Sequence, residues 1–373
     1  MKNLKRCSPT TLLLALMNVL VPMQSAHAAE RCNTFTANSC FGVDWTTVTE
    51  DQITLISSHT RDSNGRTPLH WAASRTSDPA VINALLDAGA NIHAKDMLEY
   101  TPLHAAVEGI KSDKGVIDAL LQAGAQVKSE GDSSIAGTPL HVAAVSNEPW
   151  VIEALLEVGA DPNAGDFDNM TALHTAGFAN PNTEVLTVLL KAGADVNASG
   201  KVGSRAQQAG YTPIHAAAKG TRNPEVIHTL INAGAALEDL NRDGYTPLHI
   251  AADANRTPAV IRVMIDSGAR INAINDEGFT PLHAAAYTNF PEMLEILIEA
   301  GAEVNALSSD GLTPLHIAAI GNADPAVIAA LITSGAETHV KDMLGKTPYD
   351  YAKKNKLLRE TDGDGYRMLE LAQ

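Results

Sequence analysis

Cysteine, aromatic side chains and basic charge are all scarce in this chain of 373 residues. Its three cysteines cannot supply a disulfide framework, so stability has to come from packed apolar surface. Only 27 Lys and Arg stand against 43 Asp and Glu, for a net charge of −16. So acidic a surface disfavours phosphate backbones and anionic membranes, which excludes nucleic acid as the expected partner. Aromatic residues make up 4% of the chain, so any place where they gather stands out. Long hydrophobic runs are missing too. The apolar stretch Thr11–Val21 is short of the roughly 20 residues that a membrane span needs, and no later stretch approaches that length. The motif inventory is equally bare: there is no nucleophile elbow, phosphate-binding loop, His-Glu-x-x-His or dinucleotide fingerprint.

What is present at the N-terminus reads as an export signal. Lys2, Lys5 and Arg6 precede the apolar stretch, and Ala26-His27-Ala28 offers a small-x-small cleavage pattern. Residues 1–28 are expected to be removed, leaving the remainder three charges more negative and soluble outside the cytoplasm. The short charged start has a bacterial style, so the periplasm is the expected location, with full secretion second. Residues 29–43 then hold the two remaining cysteines, Cys32 and Cys40. In an oxidising compartment they read as one small disulfide loop. A free redox pair and a metal site are the alternatives, although two thiols with no histidine nearby suit zinc poorly.

The rest is organised by one phrase, Thr-Pro-Leu-His, at Thr67–His70, Thr101–His104, Thr138–His141, Thr246–His249, Thr280–His283 and Thr313–His316. Near copies begin at Thr171, Thr212 and Thr347, and successive threonines lie 33 to 41 residues apart, most often 34. So regular a period predicts stacked repeats, each unable to bury its apolar face alone. Within a unit, threonine caps a short helix, proline takes its first position, and alanines give it a small apolar face. A second proline opens another helix with an apolar stripe (Val260, Ile261, Met264 and Ile265 in one unit), and a glycine such as Gly268 ends it.

Thr138–Ala144 with Leu155–Asn163, and Thr246–Ala252 with Ile265–Asn272, resemble the ankyrin-repeat signature almost word for word. The chain is therefore similar to exported, bacterial-type ankyrin-repeat proteins, and the resemblance implies an all-α ankyrin-repeat solenoid of about nine units. Each would be a β-hairpin finger followed by two antiparallel helices. Residues 44–64 form an expected capping half-repeat, residues 65–373 the repeat domain, and 345–373 its polar terminal cap. The finger 197–210 is longer than its fellows by seven residues.

Eight of the thirteen histidines stand in the Thr-x-x-His phrase. The resemblance gives them a structural task, tying each turn to the neighbouring finger. Acidic finger tips (Asp62, Asp96, Asp166, Asp168, Asp243, Asp276, Glu277, Asp310, Asp342) read as turn residues first and as an acidic rim second. Asp362-Gly-Asp-Gly365 lacks the third ligand and closing glutamate of a calcium loop and reads as a turn.

What remains is recognition. Partners of the family usually bind the concave surface made by fingers and first helices. Just before the repeated threonine stand Arg66, Tyr100, Met170, Tyr211, Tyr245, Phe279 and Leu312, four of them aromatic. Arg75, Phe178, Lys219 and Tyr287 should face the same groove from the first helices. Tyr and Phe are enriched at interface hot spots, so these residues form the expected partner site, against the plainer reading that finger aromatics only pack on neighbouring fingers. The expected function is non-catalytic binding of another protein, basic if the acidic surface guides it, by a monomer without cofactor or metal. A secreted effector engaging host proteins is the alternative, and a hydrolase or metal-dependent enzyme using finger 197–210 a distant third.

Overall fold

The computed structural model describes residues 44–48, 53, 60–108, 113–128, 137–146, 148–200, 209–288, 290–321, 324–360 and 364–371. The expected signal segment, Cys32 and Cys40, residues 201–208 of the long finger, and Asp362 lie outside them.

Paired helices recur along the chain, each pair opened by a threonine and, in all but one, a proline. They are α1 (Pro68–Arg75) with α2 (Pro79–Asp87), α3 (Pro102–Glu108) with α4 (Lys114–Gln122), and α5 (Pro139–Ser146) with α6 (Pro149–Glu157). Then come α7 (Ala172–Ala179) with α8 (Thr183–Lys191), α9 (Pro213–Gly220) with α10 (Pro224–Asn232), and α11 (Pro247–Ala254) with α12 (Pro258–Asp266). The last are α13 (Pro281–Tyr287) with α14 (Pro291–Glu299), α15 (Pro314–Gly321) with α16 (Pro325–Thr333), and a terminal group of α17 (Pro348–Ala352), α18 (Lys356–Glu360) and α19 (Asp364–Leu371). Two compact units emerge, residues 1–173 with 187–194, and residues 174–186 with 195–373.

In the first unit α1 packs on α3 and α3 on α5, with the second helices α2 and α4 forming a parallel row behind. The second unit repeats the scheme, with α9, α11, α13, α15 and α17 side by side and α10, α12, α14 and α16 behind. Within each unit, buried Leu, Ile, Val and Ala lie between the rows, in the second for example Leu248, Ala251, Val260, Ile261 and Met264. α19 packs against α16 and takes the place a further second helix would fill.

Capping explains where four of the second helices start. The Asp78, Asp113, Asn223 and Asp324 side chains accept backbone N–H groups of the first turn, and proline follows three of them at the first helical position, where no N–H is needed. Before the first pair, Trp45, Val48 and Ile53 are buried. The fingers are less sheet-like than expected. Among the described residues no strand forms, and a single bridge joins Gly165 to Thr171. Each fully described finger is instead a tight turn built on one polar residue. Asp62 Oδ1, for instance, accepts from the N–H groups of Asn64 and Arg66, and the Asp62 N–H donates to the Arg66 carbonyl. Asp96, Asp166, Asn241, Asn275 and Asp342 do the same work in their own fingers.

Candidate partner-binding face

The repeated histidine holds each finger in place. In seven repeats the N–H of the capping threonine donates to the histidine Nδ1 at 3.1 to 3.3 Å. Also in seven, Nε2 reaches the carbonyl oxygen of the next finger, from His70 to Tyr100 at 2.9 Å through His249 to Phe279 at 2.9 Å. A carbonyl only accepts, so Nε2 carries the proton and Nδ1 is the acceptor. Burial holds the imidazoles of His70, His104, His215, His249 and His283 down to about 4, which keeps them neutral. Eight buried rings committed to backbone contacts are not a ladder of bases. In the last repeat Asp350 replaces histidine, and the Thr347 N–H donates to its carboxylate.

The column before the threonine rests on these rings. Tyr100 stacks on His104 at 5.2 Å between centroids, Tyr211 on His215 at 5.4 Å, and Phe279 leans on His283 at 5.2 Å. Tyr245 meets His249 edge-on at 5.5 Å. The consequence divides the column. Tyr100, Met170, Tyr211 and Leu312 are buried, at 5%, 9%, 4% and 6% exposure, and have little surface to offer a partner. Tyr245, Phe279 and Arg66 are only half-buried.

Arg75, Phe178, Lys219 and Tyr287 lie in the last turns of α1, α7, α9 and α13, all half-buried. In the first unit, Arg75 and Arg66 flank the Trp71 ring, their guanidinium carbons 4.8 and 5.9 Å from its centroid. Arg66 also pairs with Asp96 at 3.1 Å and with Glu108 at 3.5 Å, so both arginines are held in a structural cluster. In the second unit, Phe178 covers Gly220 and Tyr287 covers Gly321. A Cβ at either glycine would collide with the ring lying on it. Sequence reasoning missed these two sockets, because each pairs residues from different repeats. Burial pushes the Lys219 ammonium down to about 8, opposed by the charge of Asp253.

Apart from half-buried Asp168, the acidic tips separate into two groups. Asp62, Asp96, Asp166 and Asp342 are the turn-forming carboxylates just described. Asp243, Asp276, Glu277 and Asp310 are exposed and do form a rim. Around them stand large apolar side chains that the sequence reading passed over: Leu240, Ile274 and Leu307 are 54%, 64% and 59% exposed. Among the described residues no helix is long and apolar enough to cross a membrane, and no cluster of His, Cys, Asp and Glu has the geometry of a metal site.

A family model described as "Ankyrin repeats (3 copies)" matches residues 49–131, 81–166, 112–200, 214–308 and 258–342. No match was found among curated proteins. The matched stretches cover well over half of the chain and coincide with the paired helices, the histidine latches and the polar finger turns. The chain belongs to the ankyrin-repeat family.

Proposed function

We propose that this protein is a non-catalytic scaffold that binds another protein through the face made by its fingers and first helices. The observation that carries this reading is the second unit's surface. Half-exposed Tyr245, Phe279 and Tyr287 stand on a rigid backbone, beside exposed aliphatic residues and a carboxylate rim. Rigid aromatic anchors on a preorganised frame are what an interface hot spot needs. The repeats' own polar groups, by contrast, are consumed in latches and caps. An open depression of about 430 Å³ lies between α2 and α4, and its one carboxylate, Asp118, is already paired with Lys114.

The N-terminal pattern favours export, with cleavage after Ala28 and a periplasmic site of action. Neutralising or protecting a partner in the cell envelope fits that location. Two experiments test these statements. Mature chain and a Tyr245→Ala/Phe279→Ala/Tyr287→Ala variant are used as bait in native envelope extract. Capture by the wild type and loss with a variant of unchanged helicity supports the face, and equal capture by both refutes it. Intact mass after alkylation, with and without reduction, reports a Cys32–Cys40 bridge. Alkylation of both thiols without reduction refutes the bridge.

A further inference from the structure

One position of the finger changes character in three consecutive repeats. Six residues before the threonine, the other described fingers carry Arg61, Lys95, Gly165 and Lys341. Where the chain elsewhere places two lysines and an arginine, the repeats of α11, α13 and α15 place Leu240, Ile274 and Leu307, each more than half exposed. Isolated apolar residues on a surface are ordinary, but three in one register on adjacent repeats make a stripe. No fold requirement asks for them, because the inward-facing neighbours Asn241, Asn275 and Ser308 already form the turns.

Charge beside the stripe is one-sided. The segments Leu240–Gly244, Ile274–Gly278 and Leu307–Gly311 hold exposed Asp243, Asp276, Glu277 and Asp310 against Arg242 alone. Spacing narrows the shape of what would cover it. Helices packed side by side lie about 8–10 Å apart, so the stripe repeats at that interval. An α-helix rises about 10.5 Å in seven residues, whereas an extended chain covers about 10 Å in three and turns its side chain to the opposite face.

We propose that the second unit binds a basic amphipathic helix, with apolar residues at seven-residue spacing seated on Leu240, Ile274 and Leu307 and flanking Lys or Arg facing Asp243, Asp276, Glu277 and Asp310. This names the partner's chemistry for the face described above and rests on that reading. The anchors Tyr245, Phe279 and Tyr287 lie on the first two of these three repeats and give the helix its second edge of contact.

The probe is a labelled helical peptide of about 20 residues with leucine every seventh position and lysine one turn to either side. A control of identical composition places leucine every fifth position. Binding to the full chain is read by fluorescence anisotropy. The in-phase peptide binds at least about tenfold tighter than the control. That affinity falls by at least about tenfold in Leu240→Ser/Ile274→Ser/Leu307→Ser, and falls again as salt is raised. All three substitutions are at exposed positions, and far-ultraviolet circular dichroism confirms the fold. Equal affinity for the out-of-phase control, or undiminished binding by the serine variant, overturns the proposal. Capture of a native partner alongside failure of the probe also overturns it while leaving the scaffold reading standing. Loss of both overturns the two together.

Discussion

In His70, His141, His215, His249, His283 and His316 the ring makes two contacts that require opposite roles of its two nitrogens. Nδ1 must stay unprotonated to accept the threonine N–H, and Nε2 must keep its proton for the next finger. Five of the repeated histidines have their pKa lowered by burial from 6.5 to about 4. A histidine neutral in the fold but free to protonate when unfolded gives the unfolded chain the extra protons below pH 6.5. Stability is therefore complete above about 6.5 and falls as pH drops towards 4, by up to about 1.4 kcal/mol per pH unit for each ring. Thermal melts at pH 7.5, 5.5 and 4.5 should show a progressive fall, and a melting temperature unchanged from 7.5 to 4.5 contradicts the latch. Backbone strain gives a second residue-scale test. Glu99 adopts φ 65 at the finger position where other repeats use glycine, and its side chain is exposed. Glu99→Gly should raise stability by about 1 kcal/mol by relieving left-handed strain. Asn169 at φ 61 belongs to a residue type that tolerates this conformation, so Asn169→Gly should gain less. Denaturant midpoints of the two variants decide it.

At the scale of the element, the helices and their ends were legible in the chain. Threonine–proline starts, glycine stops such as Gly268 (φ 94), and the apolar stripe of Val260, Ile261 and Met264 each follow from local chemistry. The fingers were less legible. Their turns are closed by one polar side chain rather than by strand pairing, and Ser308 does this in one finger where Asp or Asn stands in others. Nor does sequence separate Tyr211, buried on His215, from Tyr245, half-exposed beside His249, since both precede a threonine in the same phrase. Exposure there depends on what the next repeat brings across. The sockets at Gly220 and Gly321 show the same dependence, and Gly321→Ala should expel Tyr287 from its seat. A double-mutant cycle checks this. Tyr287→Ala should cancel most of the loss caused by Gly321→Ala, and strict additivity would show that the two do not touch.

At the scale of the molecule, a repeat array divides its residues between two tasks that seldom overlap. Latches, caps and buried aliphatics recur along the array and build the frame. The residues that vary between repeats at exposed or half-buried positions, Leu240, Ile274, Tyr287 and the carboxylates around them, are free to encode recognition. That division is why the fold can be read from one phrase while the partner cannot: the periodic positions are silent about it. It also separates stability from binding as measurable properties. Asp324→Ala removes a helix cap and should lower stability by about 1 kcal/mol without altering affinity. The direct measurement is a calorimetric titration of the protein captured from extract against wild-type chain and against Tyr245→Ala/Phe279→Ala/Tyr287→Ala, with both chains shown to be folded. The account predicts a loss of at least about tenfold in affinity for the variant. Equal affinity for the two chains would contradict it and place the binding surface elsewhere.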